Sequence, residues 1–265
     1  MSTEPLTYSS YLRVDELLGL QTPRSTDPRT GEAEHDELLF IVIHQVYELW
    51  FKQLLHELDY VVAAMFANNL ATARLHMKRV LKILKTLVGQ VDILETMTPA
   101  EFASFREFLD SASGFQSAQF RELEFVLGMK DRVRLDWFSG HERERLERRF
   151  GTPTLWDAFI AAMVSHGMDV PEHATTRDVT QTIVEDPELQ ALIVREYHDE
   201  AFAAVCETLT DLDEGLQEWR YRHVMMVRRT IGTRHGTGGS DGAAYLQKTL
   251  FRPAFPDLWA IRTEF

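Results

Sequence analysis

The sequence predicts an all-α fold: a large single-domain helical bundle with an N-terminal arm. Three observations lead there. Apolar residues recur at three- and four-residue steps through most of the chain, as they do along one face of a helix. No segment shows the two-residue alternation of a half-buried strand, and no internal repeat is present. Helix-start signals stand where the periodic stretches begin, as in Thr98-Pro99-Ala100-Glu101 and Asp186-Pro187. With 265 residues, 45% of them hydrophobic and 26% charged, the chain can bury a substantial core.

Residues 1–34 read as an arm or short helix followed by a loop, with Tyr8 and Tyr11 ahead of Leu12, Val14, Leu17, Leu18 and Leu20, and Pro23, Pro28 and Gly31 breaking the pattern. A long helix then spans about Asp36 to Asn69. It opens with acidic residues suited to the positive helix end, and its first half is apolar almost all round, which marks it as central. Phe40 and His44 on it share a face at i, i+4. Residues 70–96 form a second helix. The Thr98 start opens a third, where Phe102 and Arg106 again share a face among Phe105, Phe108 and Leu109. Ser113 to Gln116 makes a turn before a helix from Ser117 to Leu127.

The stretch 128–185 is the least informative and reads as a variable helical insertion, with helices at His141–Phe150 and Trp156–Val164 and solvated His166 and His173. A helix from Asp186-Pro187 runs through Tyr197 toward Cys206, and the next one carries His223. Trp219, His223, Met226, Val227 and Ile231 lie on or near one stripe of that helix, which Gly232 ends. The run Gly236-Thr237-Gly238-Gly239-Ser240 is a loop where backbone can approach a ligand. Ala243 to Leu250 gives a short helix, and Phe255-Pro256-Asp257-Leu258-Trp259 docks the terminus.

Composition removes several functions. The formal net charge of −13 opposes bulk binding to nucleic acid or anionic membrane. The longest apolar run, Tyr60 to Ala67, is too short for a bilayer, and MSTEPLTYSS has no signal-peptide character. One cysteine, Cys206, fits a reducing cytoplasm. Against the acidic trend, Arg220, Arg222, Arg228, Arg229 and Arg234 crowd the stretch from Trp219 to Gly242, either as an exposed basic helix face or as a local anion site such as one for cofactor carboxylates. Paired Glu-x-x-His motifs for a di-iron site, zinc spacings, Walker and dinucleotide fingerprints and a nucleophile elbow are missing. A lone histidine on an apolar stripe is ordinarily a core residue; the alternative for His223 is proximal ligation of a haem iron. Arg106, in aromatic company, is suited to gripping a carboxylate with both arms of its fork, the commoner role being a snorkelling surface arginine.

Taken together, six blocks resemble the tryptophan 2,3-dioxygenase family, haem enzymes that open the indole ring of L-tryptophan. They are TYSSYL at 7–12, HDELLFIVIHQVYELWFK at 35–52, LETMTPAEFASFREFL at 94–109, SGFQSAQFRELE at 113–124, WRYRHVMMVRRTIGTRHGTGGSDGAAYL at 219–246, and FPDLW with IRT at 255–263. The resemblance runs nearly end to end and is poorest over 128–185. It implies a bundle enclosing one haem b per subunit, with His223 as the axial iron ligand and His44 as the distal, catalytic histidine that accepts a hydrogen bond from the indole N–H. It further implies that Phe40, Ile41, Val42, Ile43 and His44 wall the substrate. Arg106 would hold its carboxylate with Phe102 one turn before, Thr237 would lie near its ammonium and carboxylate, and Ser113 would line the distal side. Tyr8 and Tyr11 would reach into a neighbouring subunit's site in a homotetramer. The implied activity is cleavage of the indole C2–C3 bond by O2 to N-formyl-L-kynurenine. The sequence leaves open a relative that monooxygenates a modified tryptophan, and a haem sensor or carrier without turnover.

Overall fold

Helix α3 (Glu37–Phe66) is the spine against which most of the chain is laid; ahead of it, the arm holds two short helices, α1 (Tyr8–Leu12) and α2 (Val14–Leu18), separated by a left-handed Arg13. In the computed structural model, which describes residues 5–237 and 242–265, α3 turns back through a left-handed Asn68 into α4 (Leu70–Leu94), whose first turn is capped by the Asn69 side chain accepting from Thr72 N–H at 3.1 Å. Then follow α5 (Pro99–Phe105), α6 (Ala118–Val126), α7 (Gly140–Phe150), α8 (Leu155–Ser165), α9 (Glu172–Thr175), α10 (Pro187–Glu196), α11 (Glu200–Ile231), α12 (Ala243–Gln247) and α13 (Pro256–Ala260). No strand occurs among the described residues, so the all-α expectation holds.

One apolar core joins these helices: Leu58, Val61 and Met65 of α3 meet Met77, Val80 and Leu87 of α4, Trp156 and Phe159 of α8, and Leu209 and Leu212 of α11. Two features set the position of α11. Gly215 brings it close to α4, since a Cβ there would stand 2.7 Å from Leu84 Cδ2. Two residues earlier, fully buried Asp213 accepts from the backbone N–H of Ala254 at 2.8 Å and of Phe255 at 3.1 Å and from Trp259 Nε1–H at 2.9 Å. That carboxylate is what docks the C-terminal Phe255–Trp259 block.

Three boundaries differ from the expectation, each for a local reason. The helix expected to run from Asp186 toward Cys206 stops at Glu196, because Asp199 caps a new helix by accepting from Ala201 and Phe202 N–H; Cys206 therefore lies on α11, about half the helix away from His223. Arg106 stands just after α5, opening a tighter 3-10 turn (Arg106–Leu109). Finally, α3 is not buried all round: Leu38, Val42 and Leu49 are exposed while Ile43, Tyr47 and Phe51 face inward. By length and composition alone α3 could cross a bilayer. Its lower half holds buried Glu57 between His76 and Arg79, at 2.7 and 2.9 Å, within the helical body.

Removing the Asp213 acceptor leaves two buried backbone donors and an indole N–H unpaired. Asp213→Ala should cost about 3–5 kcal/mol in urea unfolding. A midpoint shift equivalent to less than about 1 kcal/mol would show that the C-terminal block is held by packing alone.

Candidate functional site

Between the upper half of α3, α5, the 113–117 turn, α6 and α11 lies a cavity of about 260 Å³. His44 and His223, 179 positions apart in sequence, both line it, as do Phe40, Phe102, Arg106 and Thr237. The helical stripe of α11 supplies one wall through Trp219, His223, Met226, Val227 and Ile231. The sequence spacing had placed those residues on one face, and that face is the cavity wall.

The two imidazoles differ in how they are held. His44 Nδ1 lies 2.7 Å from the Phe40 carbonyl oxygen, one turn back on α3. A carbonyl only accepts, so Nδ1 carries the proton and the neutral ring leaves Nε2 as a bare acceptor. Burial pushes the His44 pKa below the ordinary histidine value. The Phe40 ring stands 4.1 Å away, centroid to centroid, and touches Phe102 at 5.9 Å and Phe105 at 5.5 Å. His223 stacks on the Trp219 indole at 5.2 Å with the planes 6° apart, and neither of its ring nitrogens has a hydrogen-bond partner among the described residues. Burial, then the nearby His44 and the cation of Arg121, push its pKa down to about 4. A neutral imidazole with a free lone pair in an apolar wall is a ready metal ligand.

The entrance is polar. Arg106 Nη2 donates to the His235 carbonyl at 2.5 Å, and Thr237 Oγ1 donates to the Ala112 carbonyl at 2.6 Å, so two hydrogen bonds tie the 232–237 segment across to 106–112. Gly242 closes the segment in a left-handed conformation where a Cβ would stand 2.6 Å from the Arg234 carbonyl oxygen. Ser113 lines the cavity and caps the following turn, its Oγ accepting from Phe115 N–H at 3.5 Å. Gly238, Gly239 and Ser240 of the expected glycine loop lie outside the described residues.

Not every expected residue reaches this space. Phe40 and His44 face it, but Ile41 and exposed Val42 do not line it, and Ile43 is packed into the core at 4% exposure. A helix turns 100° per residue, so a contiguous five-residue wall cannot all face one cavity. Tyr8 and Tyr11 are 77% and 72% exposed and far from contributing to their own chain's cavity. Conversely, Tyr47 of α3, Arg121 and Glu124 of α6, and Arg134 also line it; they come from three separate segments, so no single helical stripe in the sequence groups them. Of the basic group on α11, Arg220 is buried against Glu124 at 2.9 Å, while Arg222 pairs outward with Asp92 at 2.5 Å and Glu95 at 3.2 Å.

The desolvated His44 makes a stability prediction. Its folded pKa is below 6.5, so below that pH the unfolded chain takes up a proton that the folded chain resists. Stability is therefore full above about pH 6.5 and falls as pH drops beneath it. The urea midpoint of His44→Phe should decline less between pH 6.5 and 5 than that of the unaltered chain; parallel declines would mean that His44 is already solvated.

Similarity to known proteins agrees with this geometry. The family model described as Tryptophan 2,3-dioxygenase matches residues 1–155 and 180–265, so the unmatched segment is narrower than the 128–185 stretch. The chain is 56% identical to the tryptophan 2,3-dioxygenase of Herpetosiphon aurantiacus over 264 residues, 99% of each chain. It is 50% identical to that of Anaeromyxobacter sp. (strain K), covering 97% of this chain and 95% of the relative. It is 43% identical to that of Caulobacter vibrioides, covering 98% and 99%.

Proposed function

Since the chain belongs to the tryptophan 2,3-dioxygenase family, we propose that it cleaves the indole C2–C3 bond of L-tryptophan with O2, giving N-formyl-L-kynurenine. The observation that carries this reading is the convergence of two buried imidazoles and an arginine fork, from three distant segments, on one cavity. In the overall reaction the C2–C3 bond breaks and each carbon keeps one oxygen atom as a carbonyl, so O2 is consumed whole and no external reductant is needed.

The cavity is suited to haem b. His223 offers a neutral imidazole with no competing hydrogen bond among the described residues, set in a wall of Met226, Val227 and Trp219 that tolerates a flat apolar macrocycle. His223 would hold the iron porphyrin, which when bound would supply the redox chemistry of dioxygen that no side chain here can provide.

The remaining work is done by the chain. His44, protonated at Nδ1, presents Nε2 as an acceptor for the indole N–H and so fixes the ring's orientation. It orients rather than deprotonates, because an indole N–H is far too weak an acid for an imidazole of depressed pKa. Phe40 and Phe102 give the indole an aromatic wall. Arg106 takes the substrate carboxylate, exchanging the His235 carbonyl for a charged partner, and the Thr237 hydroxyl lies on the same side for the amino-acid head. Ser113, which lines the same cavity, would face the distal side of a bound haem.

We further assign the arm to a neighbouring copy in a homotetramer. Leu6, Tyr8, Tyr11, Leu18 and Leu20 are all exposed on this chain, an apolar face that a second subunit would cover. The lone Cys206 is buried with its thiol pushed up to about 12, which accords with a reducing, cytoplasmic setting.

With labelled O2, the product should carry both label atoms; a single labelled atom would identify monooxygenation, and no product with an intact Soret band would identify a carrier. Arg106→Ala should lower kcat/KM for tryptophan by about 100-fold or more while leaving haem absorbance unchanged. His44→Ser should retain measurable turnover with weaker tryptophan binding; lost turnover at unchanged affinity would make His44 a catalytic base instead.

A further inference from the structure

Behind the wall of the functional cavity lies a second, smaller void of about 30 Å³, set in the core between α3, α4, α11 and the end of α6. Only leucine, valine, phenylalanine and tryptophan side chains line it, and no polar atom of the described residues faces it. Its leucines and its valine are all buried, Val80 at 0% exposure and Leu54 at 4%. Three of its lining rings, Phe51, Phe120 and Trp219, also line the functional cavity, so a layer of aromatic rings divides the two spaces. The layer is packed ring on ring, with Phe120 4.9 Å from Trp219 and Phe51 5.5 Å from Phe120.

Size and polarity restrict what the void can hold. About 10–15 Å³ accommodates one water-sized particle, so this space has room for about two, the size of a diatomic molecule. Water itself is disfavoured, because it needs roughly two to four polar partners and the lining presents none. Ions and hydrogen-bonding ligands fail on the same ground. What fits is a small molecule without charge or dipole, the class to which O2 belongs.

The competing explanation is a plain packing gap. Native interiors keep few voids, since an empty space forfeits the dispersion contacts of its lining. A gap left by chance has no reason to adjoin the site, yet this one shares three rings with it. Resting on the dioxygenase reading above, we propose that the void is a binding site for dioxygen, held one ring layer from the functional cavity. The dividing layer consists of side chains, so gas passes between the two spaces by ring movement, without displacement of a helix. A molecule of O2 that leaves the functional cavity is thereby retained beside it and can be recaptured.

The test places crystals of the haem-loaded protein under xenon, which apolar cavities accept. Xenon density should appear in the void of the unaltered chain; its absence overturns the proposal. Leu54→Phe and Val80→Ile put a ring or a methyl group into the space, and neither residue lines the functional cavity. In whichever of them folds and excludes xenon, kcat/KM for O2 should fall about threefold or more, with tryptophan affinity and Soret absorbance unchanged. Xenon lost with O2 kinetics unaltered makes the void a packing gap, and a fall shared by tryptophan affinity marks a general disturbance; either result overturns the assignment. Leu84→Ala, which enlarges the void, should act in the opposite sense and raise both xenon occupancy and kcat/KM for O2; if neither moves, the proposal is overturned. Should the unaltered chain consume no O2 with tryptophan, it is the dioxygenase reading that fails, whereas xenon in the void would still support a site for apolar gas.

Discussion

Desolvation of two imidazoles is the constraint on which the rest of this structure depends. On the proposed function His44 and His223 act as neutral rings, one offering Nε2 as an acceptor and the other a lone pair to a metal. Water at either ring would restore an ordinary pKa near 6.5 and leave both partly charged in a mildly acidic cell. The aromatic layer of Phe40, Phe102, Phe105, Phe120 and Trp219 keeps the cavity apolar, and the cation of Arg121 adds to the suppression at His223. Much of the fold can be read as the means of holding that layer closed. Gly215 draws α11 against α4, and Asp213 fastens the C-terminal block to the same helix one to two turns before Trp219.

A helix of 32 residues then transmits position from one end of the bundle to the other. Its first half is anchored by core leucines and the buried carboxylate, its second half by Trp219 packed on Phe120 at 4.9 Å and edge-on to Phe51 at 6.3 Å. An α-helix is stiff along its axis, so fixing one half fixes the bearing of His223 in the other. This is why a residue such as Asp213, remote from the cavity, belongs to its construction.

How much of this was legible in sequence varies with the range of the interactions. Same-face pairs within one helix were readable directly: Phe40 with His44, Phe102 with Arg106, and the Trp219–His223–Val227 stripe all obey the 3.6-residue period and all reach the cavity. The same period takes Ile43 into the core and Val42 outward, so the contiguous run around them does not share the cavity face. What the pattern could not yield was any contact formed between charged residues far apart. Arg121 and Glu124 look like a solvated i, i+3 pair until Arg220 arrives from 96 positions away and burial changes their meaning. Likewise, the exposed arm and the exposed upper face of α3 are apolar in sequence and were read as anchors and core, yet within one chain they stay uncovered.

Charge apportionment around the cavity completes the argument. The wall has Arg106 at the entrance and, elsewhere, Arg121, Arg134 and Arg220 gathered on Glu124. Among the described residues no carboxylate pairs with Arg106, whose donor rests on the His235 carbonyl. A backbone carbonyl carries only a partial charge, so a carboxylate arriving there gains a full ion pair and gives up one neutral acceptor. Because that same hydrogen bond ties the 232–237 segment to the 106–112 segment, replacing it couples the grip on the ligand to the position of Thr237, itself tied to Ala112. The other group differs, since Glu124 already accepts from all three of its arginines. One basic group is thus already paired with a carboxylate, whereas Arg106 rests on a neutral acceptor.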